Sequence, residues 1–309
     1  MNAPRQQKRP PRRTVDGVLL LDKPQGLTSN AALQTARRLF NAAKAGHTGT
    51  LDPMATGLLP LTFGEATKFS QMLLEADKAY EATVRLGIET DTGDAEGRPI
   101  ASAPVSVTPD EVARAVSLFT GEIEQVPPMY SALKCAGKPL YEYARAGIEI
   151  ERAPRKVRIH ALELVAIEGD AFRIRVDCSK GTYIRTLAID LGRALGCGAH
   201  LSALRRTRIG PFAVDAAVTL TTLEAAAPEA RDALLAPADA LVAHLPCVAL
   251  AREAAHALLQ GRVVAAPGAA GGLVRVYGEG RFLGLGECDG EGRLSPKRLI
   301  ATAEAGQSA

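Results

Sequence analysis

The chain has 309 residues, 47% of them hydrophobic, and a formal net charge of +3 at pH 7. This length and this apolar content predict a sizeable core and exclude a mainly disordered protein. Apolar runs long enough to cross a membrane are missing from the sequence, so we expect no membrane span. The five cysteines are dispersed and, like the five histidines, lack metal-ligand spacing. We therefore expect reduced thiols, a cytoplasmic location and no metal site.

The positive charge is concentrated at the N-terminus. Residues 1–14 contain five basic residues and no acid. The rest of the chain has 32 of the 37 basic residues and all 34 acidic residues. The rest of the chain is therefore not a basic protein, and net charge alone does not indicate a nucleic-acid partner. We predict a basic disordered tail over residues 1–14, with a nonspecific phosphate contact as its alternative role.

The first predicted elements lie close together. Residues 17–21 form a short apolar run that predicts a strand, and turn residues follow it. Thr28 or Ser29 can then cap a helix. Over residues 80–88, apolar and polar side chains alternate as in a half-buried strand. The Asp- and Gly-rich stretch 91–98 predicts a loop.

The middle of the chain contains a further helix, a strand pair and a second helix. A capping box with proline at the first helical position begins at Thr108 and opens a helix through Phe119. Residues 162–167 and 172–177 predict two strands, and an apolar stripe over residues 184–195 predicts a helix. Strands and helices mix without a regular βαβ rhythm. The predicted fold class is therefore α+β with a mixed, largely antiparallel sheet.

The C-terminal part has a different texture. A short predicted helix at about residues 250–260 is followed by strand-like runs at 273–277 and 281–287 and by many glycines. Short strands and glycines of this kind are typical of a small β-barrel. We predict such a barrel over residues 246–309.

The segment GHTGTLDPMATG, residues 46–57, contains the densest group of chemically useful side chains. Its three glycines, its threonines and its proline predict a tight loop with unusual backbone angles. The loop contains one acid, Asp52, and one imidazole, His47. Taken alone, these two residues also fit a structural turn, with Asp52 as a cap and His47 as a hydrogen-bonded histidine.

This loop and five further segments, in family order, resemble the TruB family of bacterial tRNA pseudouridine-55 synthases. The five segments are DKPQGLTS (22–29), KAY (78–80), QVPPMYSALKCAGKPLYEYARAG (125–147), CSKGTYIRTLAIDLG (178–192) and LRRTRIGPF (204–212). The resemblance implies a cofactor-free isomerisation in which uracil 55 of the T-arm is flipped out, detached from ribose C1′ and reattached through carbon. It also implies a pseudouridine synthase catalytic domain at residues 15–245, an RNA-clamping insertion at 125–152 and a PUA-like RNA-binding domain at 246–309.

The resemblance assigns catalytic roles to three residues. Asp52 matches the essential carboxylate, which either attacks C1′ or removes the C2′ proton. Arg185 matches the arginine that pairs with this carboxylate, and such a cation keeps a buried acid ionised. Tyr80 matches the tyrosine that stacks on the target base, where its hydroxyl can take part in proton transfer at C5.

Five more residues are candidate substrate contacts. Tyr183 matches a pocket tyrosine and Leu204 matches a leucine at the active-site wall, whereas Lys23, His47 and Lys134 are candidate RNA contacts. The Arg205-Arg206/Arg208 cluster is a further candidate RNA contact. Around Lys134, cations interleaved with tyrosines fit phosphate contacts and base stacking. Without the resemblance, Tyr183 and Leu204 also fit ordinary core packing, and the segment around Lys134 fits an amphipathic hairpin and helix.

Three functions fit parts of this pattern. The first is a tRNA pseudouridine synthase, a monomer without cofactor that binds the T-arm and, through its C-terminal domain, the acceptor stem. The second is a non-enzymatic tRNA-folding or RNA-binding protein in which Asp52 is structural. The third is a glycoside or nucleoside hydrolase, which ordinarily uses two acids. The pairing of Asp52 with Arg185 favours the synthase, because a pure RNA binder has no use for a carboxylate where polyanionic RNA enters.

Overall fold

The computed structural model describes residues 11–301. The α-helices in this range are α1 Ser29–Leu39, α2 Ser70–Leu74, α3 Pro109–Ser117, α4 Leu140–Arg145, α5 Ile184–Ala194, α6 Leu220–Ala225 and α7 Arg252–Leu259. The strands are β1 Gly17–Lys23, β2 Ala45–His47, β3 Thr56–Phe63, β4 Lys78–Leu86, β5 Ile88–Thr90, β6 Pro99–Ser102, β7 Gly121–Gln125, β8 Lys134–Cys135, β9 Lys138–Pro139, β10 Arg155–Glu168, β11 Ala171–Cys178, β12 Ala199–Ile209, β13 Phe212–Ala213, β14 Val218–Thr219, β15 Cys247–Leu250, β16 Val264–Ala265, β17 Gly272–Gly278, β18 Arg281–Cys288 and β19 Arg293–Leu299.

Ten strands form the main sheet. Its order is β14-β1-β3-β12-β4-β11-β10-β7, with β2 beside β3 and β13 beside β12. The β1–β14 and β3–β12 pairs are parallel, and the other pairs along this order are antiparallel. The predicted fold class, α+β with a mixed and largely antiparallel sheet, is therefore confirmed.

Two hydrophobic cores pack against this sheet. In the first, α3 and α5 bury their apolar faces with β4 and β11. In the second, α1 packs on β1 and β3. Leu204 of β12 packs against both cores, so it lies where they meet. The two cores hold the loop between β2 and β3 close to the start of α5, and the candidate site lies there.

The predicted elements are present with shifted ends. The capping box at Thr108 forms as predicted and opens α3. The predicted strand 80–88 instead ends at Leu86, because Gly87 adopts a positive φ and its amide bonds to Gly198. Residues 88–90 then form the separate strand β5, which pairs with β6 across the predicted loop 91–98.

The predicted N-terminal tail is only partly described. Residues 1–10 lie outside the described residues. Arg13 pairs through its main chain with the segment around Asn41, and its guanidinium forms an ion pair with Asp232. Residues of the predicted tail next to the first strand are therefore bonded to the rest of the chain.

A second sheet is formed by the C-terminal strands in the order β15-β17-β18-β19-β16, and it curls into a half-barrel beside α7. This architecture agrees with the predicted PUA-like barrel. The second sheet shares a hydrophobic cluster with the main sheet, in which the rings of Phe69 and Phe282 lie 5.4 Å apart. Within residues 11–301, no helix is long and apolar enough to cross a membrane. The domain boundaries themselves stay predictions.

Candidate active site

The loop that contains Asp52 is fixed from two sides. Ser29, at the start of α1, donates its hydroxyl to the Leu51 carbonyl at 3.0 Å and accepts the Leu51 amide at 2.7 Å. On the other side, Gly57 has a φ of +99°, and a Cβ there would lie 2.3 Å from the Arg206 carbonyl. Only glycine therefore allows β3 to approach β12 this closely. The Ser29 bonds and the close approach at Gly57 thus fix the position of the Asp52 loop on the sheet.

Arg185 lies directly beside Asp52. Its Nε is 3.0 Å from Oδ2 of Asp52, its Nη1 donates to the Thr92 carbonyl at 3.0 Å and its Nη2 to the Tyr130 carbonyl at 2.7 Å. All three guanidinium nitrogens therefore have partners, although only 5% of the residue is exposed. The N-terminal turn of a helix disfavours a cation, and these partners stabilise the charge there.

A second acid, Asp94, lies behind Arg185. Its Oδ2 is 3.6 Å from Nε of Arg185, while its Oδ1 accepts the Thr92 hydroxyl at 2.6 Å and the Glu96 amide at 3.1 Å. Asp94 is 4% exposed and does not line the cleft. The sequence reasoning treated residues 91–98 as a loop and missed this acid. Its only signal was the high aspartate content of the loop.

The pKa of Asp52 lies above its ordinary value because burial outweighs the neighbouring cations. Burial raises the pKa of Asp52, the charge of Arg185 lowers it, Asp94 raises it and Lys23 lowers it. The Asp52 side chain is still 37% exposed, whereas that of Arg185 is 6% exposed. The acid therefore faces the cleft, with the arginine behind it.

Lys23 supports the loop from below. It is fully buried, and its ammonium donates to the carbonyls of Leu27 at 2.7 Å and Pro24 at 2.9 Å, with the Pro53 carbonyl at 3.4 Å. Burial lowers the pKa of Lys23 to about 8. The structure thus places this predicted RNA contact under the Asp52 loop and away from the cleft surface.

The cleft in front of Asp52 has a volume of about 530 Å³. Five of the eight predicted site residues line it: Asp52, Tyr80, Tyr183, Arg185 and Leu204. Tyr183 is held at the start of α5 by the buried side chain of Gln125, which accepts its amide at 2.9 Å and donates to its carbonyl at 3.2 Å. The aromatic and aliphatic walls provide apolar surface on which a planar ring can rest.

Two predicted contacts lie outside the cleft lining, as Lys23 does. His47 is half-buried on β2, where its Nδ1 has no hydrogen-bond partner within the described residues. Burial and the charge of Arg206 lower the pKa of His47, so it is neutral at pH 7. Lys134 is exposed on the β8–β9 hairpin of the predicted insertion. The two residues are therefore available only for contacts beyond the cleft.

The insertion also forms one wall of the cleft. Residues 130–133 line it, and the Tyr130 carbonyl bonds to Arg185. Farther along, the Tyr143 hydroxyl donates to the Cys135 carbonyl at 3.2 Å and the Arg145 guanidinium lies 5.3 Å from the Tyr141 ring centre. The insertion thus reaches the acid–arginine pair through its main chain, while its exposed cations Lys134 and Arg145 and the half-buried Tyr141 and Tyr143 lie outside the cleft lining.

Two more cations, Lys78 and Arg206, line the cleft. Lys78, which was not assigned to the site from the sequence, donates to the carbonyls of Leu74 at 3.0 Å and Ala76, and burial lowers its pKa to about 8. Arg206 was expected to contact RNA as part of the Arg205-Arg206/Arg208 cluster, but it is only 1% exposed. A cluster of basic residues suggests a solvated surface, so the burial of Arg206 has no sequence signal.

Three family models match this chain: "TruB family pseudouridylate synthase (N terminal domain)" at residues 37–184, "tRNA pseudouridylate synthase B C-terminal domain" at 185–243 and "Pseudouridine synthase II TruB, C-terminal" at 246–300. Among curated proteins, tRNA pseudouridine synthase B of Aromatoleum aromaticum is 77% identical, with 96% of each chain covered. That of an Azoarcus species is 67% identical, with 96% of this chain and 98% of the relative covered.

Solved structures show the same fold. A Cbf5-Nop10-Gar1 complex contains a chain with a TM-score of 0.71 and 29% identity, covering 93% of this chain and 86% of that one. A structure of an H/ACA RNP bound to a substrate RNA containing 2′-deoxyuridine gives 0.69 and 28%, covering 93% and 85%. On these matches in sequence and fold, the chain belongs to the TruB family of pseudouridylate synthases and is an isomerase.

Proposed function

We propose that this enzyme converts uridine 55 in the T-loop of tRNA to pseudouridine, with Asp52 as the essential carboxylate. One observation carries the proposal: Asp52 lies 3.0 Å from Arg185 and faces a cleft that Tyr80, Tyr183 and Leu204 line. The name tRNA pseudouridine synthase B of its relatives supports tRNA as the substrate. A tRNA substrate in turn supports a cytoplasmic location.

The dimensions and polarity of the cleft suit a flipped nucleotide. A volume of about 530 Å³ can hold a pyrimidine with its ribose. The base rests between the aromatic ring of Tyr80 and the aliphatic Leu204, and this contact offsets part of the cost of unstacking it from the RNA. The ribose then lies toward Asp52, the exposed member of the acid–arginine pair.

The chemistry needs Asp52 in its ionised form. As the bond between C1′ and N1 breaks, the carboxylate either bonds to C1′ or removes the C2′ proton, and Arg185 keeps it charged in both cases. The detached uracil rotates and forms a bond from C5 to C1′, as the Asp52–C1′ bond breaks in the first route or the C2′ proton returns in the second. C5 then loses its proton with the help of Tyr80, and N1 gains one. Product and substrate are isomers, so the reaction consumes no cofactor.

The surroundings of the cleft suit a folded RNA partner. In the insertion Lys134 is exposed, whereas Tyr141 and Tyr143 are half-buried, and these side chains can contact phosphates and stack on bases of the T-arm. We propose that the C-terminal half-barrel adds contacts to the acceptor stem and that one enzyme molecule binds one tRNA as a monomer. A role in tRNA folding can coexist with catalysis because both use the same RNA surface.

The decisive experiment incubates the protein with an unmodified tRNA transcript and maps pseudouridine at single-nucleotide resolution. We expect a signal at position 55 that disappears in Asp52→Asn and Asp52→Ala while tRNA binding persists. Asp110→Asn, which changes an exposed aspartate on α3, is the matched control and should convert normally.

Other outcomes identify the alternatives. Unchanged conversion in both Asp52 variants would contradict the catalytic role of this acid. Binding of tRNA by the wild type without any conversion would indicate an RNA-folding or RNA-binding protein. Release of free uracil would indicate a hydrolase, and pseudouridine at another position would correct the target site.

A further inference from the structure

The cleft contains a buried arginine whose charge no acid balances. Arg206 of β12 donates Nε to the Leu58 carbonyl at 2.8 Å and Nη2 to the Gly49 carbonyl at 3.2 Å, and its Nη1 lies 3.5 Å from the Thr50 carbonyl. Within residues 11–301, no carboxylate forms an ion pair with it. Burial of an unpaired charge costs several kcal/mol in general. A buried guanidinium that has carbonyls and the Tyr80 phenol as partners, and no carboxylate, therefore calls for a reason beyond stability.

The ionisable neighbour of Arg206 is Tyr80. The two residues are cross-strand partners in the β4–β12 pair, and both line the cleft. The pKa of the Tyr80 hydroxyl lies above its ordinary value because burial raises it, and the charge of Arg206 is the largest influence that lowers it. In return, Tyr80 is the ionisable group that raises the pKa of Arg206. The unbalanced positive charge is thus placed where Tyr80 would develop a negative one.

The other ionisable groups around Tyr80 either favour its neutral form or are already bound to other partners. Cys178 on β11 has its own pKa raised to about 12 by burial, and both this thiol and Asp52 raise the pKa of Tyr80. Lys78 is bound to main-chain carbonyls and Arg185 to Asp52. The remaining ionisable side chains that line the cleft are the phenols of Tyr130 and Tyr183. Arg206 is therefore the cation best placed to stabilise a Tyr80 phenolate.

We propose that Arg206 is a positioning residue for proton removal at C5: it ties the Asp52 loop to the sheet and stabilises the phenolate of Tyr80. This inference rests on the proposed function. Tyr80 first releases its hydroxyl proton to water. After C5 has bonded to C1′, the phenolate takes the C5 proton, and the electron pair of the broken C–H bond becomes the C5–C6 double bond. N1 then takes a proton from water, so atoms and charge balance.

The test uses a tRNA transcript with deuterium at C5 of its uridines beside a matched protium transcript. Single-turnover conversion is measured against pH for the wild type, Arg206→Gln and Arg206→Lys. We expect the rate of Arg206→Gln at pH 7 to fall by about 100-fold, the usual size of a general-base contribution. The C5 isotope effect should grow, and the rising limb of the pH profile should move to higher pH.

Arg206→Lys keeps a buried cation and guards against loss of fold. Its rate should fall less, and its pH limb should stay near that of the wild type. Incorporation of 3-fluorotyrosine at position 80, a more acidic phenol, should move the limb of Arg206→Gln back toward neutral pH. Thermal unfolding and tRNA affinity serve as controls for structure and binding.

Each contrary outcome has a distinct meaning. A slower Arg206→Gln enzyme with an unchanged isotope effect and pH limb would show a purely structural role and overturn the inference. The inference would also be overturned if the rising limb of the pH profile shifted equally in the Arg206→Lys and Arg206→Gln variants. The same holds if 3-fluorotyrosine at position 80 left that limb unchanged. A wild type that makes no pseudouridine would instead refute the proposed function itself.

Discussion

Two buried arginines line the same cleft, and their surroundings differ. Arg185 has two carboxylates within 3.6 Å and further bonds to the carbonyls of Thr92 and Tyr130. Arg206 bonds to three carbonyls in or beside the Asp52 loop and to the Tyr80 phenol, and no carboxylate of residues 11–301 forms an ion pair with it. The first cation is balanced by acids in the resting enzyme, whereas the second is balanced only when a neighbouring group ionises.

This difference shows how one side-chain type can serve two purposes. An arginine between two acids holds a reactive carboxylate ionised and oriented. An arginine without an acid forms a preorganised positive field, which stabilises charge that appears only during the reaction. Substitutions of the acids beside Arg185 and of other cations therefore test how far the surroundings of a cation decide its role.

The largest effect is expected from Asp52→Asn, which removes the reactive partner of Arg185. Amides neither attack C1′ nor accept a proton efficiently, so conversion should fall by more than about 1,000-fold. Single-turnover assays with saturating tRNA measure this loss. Retention of more than a tenth of the wild-type rate would place the reactive group elsewhere.

A smaller loss is expected from Asp94→Asn, which removes the second acid of Arg185. The weaker hold on the arginine should slow conversion by about 10- to 100-fold, since a misplaced catalytic group has effects of this size. The charge of Asp94 raises the pKa of Asp52, so its removal lowers that pKa. The acidic limb of the rate profile should therefore move to lower pH. A move to higher pH would show that loss of the Arg185 contact dominates.

Lys23→Met tests a third buried cation and affects stability more than chemistry. Its loss leaves three carbonyls without their donor, which should reduce the free energy of unfolding by about 1–3 kcal/mol at pH 7. The folded-state pKa of Lys23 lies near 8, below the unfolded value near 10.5. The cost of burying the charge is thus fully present below pH 8 and is relieved as pH rises toward 10.5.

Denaturant unfolding at several pH values checks this sign. Over that interval the wild type should gain stability relative to Lys23→Met, and the difference between the two proteins should widen. Lys78 titrates in the same range in both proteins, so the comparison isolates Lys23. A difference that narrows with rising pH would contradict the lowered pKa.

The smallest effect is expected from Lys134→Ala, which removes an exposed cation and so contrasts with the buried ones. Loss of one phosphate contact should weaken tRNA binding modestly and reduce the slope of log affinity against log salt by about 1. Conversion at saturating tRNA should not change. Arg114→Ala on α3 is the matched exposed control, and an equal effect in both variants would argue against a specific contact.

The sequence predicted the fold class and most elements because those depend on local patterns. The period-two alternation of β4, the capping box of α3 and the glycine-rich loop all act over a few residues. Motif order also identified five residues that line the cleft. The roles assigned to these residues stay predictions until the variants are tested.

What the sequence did not reveal depends on contacts between distant segments. Asp94 reaches Arg185 because β5 and β6 fold back toward α5, and the Arg185–Thr92 bond joins residues 93 positions apart. The burial of Lys23 and Arg206 follows from the meeting of two cores, and a basic residue in a motif carries no sign of it. Long-range burial therefore decides which cations are exposed to solvent and which lie buried around the cleft.

The cluster that the two sheets share has a consequence for the modularity of the enzyme. Phe69 and Lys68 belong to the segment between β3 and β4, where Lys68 bonds to the Leu299 carbonyl at 2.8 Å and Phe69 packs on Phe282. That same segment continues into Leu74, whose carbonyl holds Lys78 beside the cleft. The C-terminal half-barrel thus supports one wall of the cleft. A truncated catalytic fragment would lose part of the support for its own catalytic machinery.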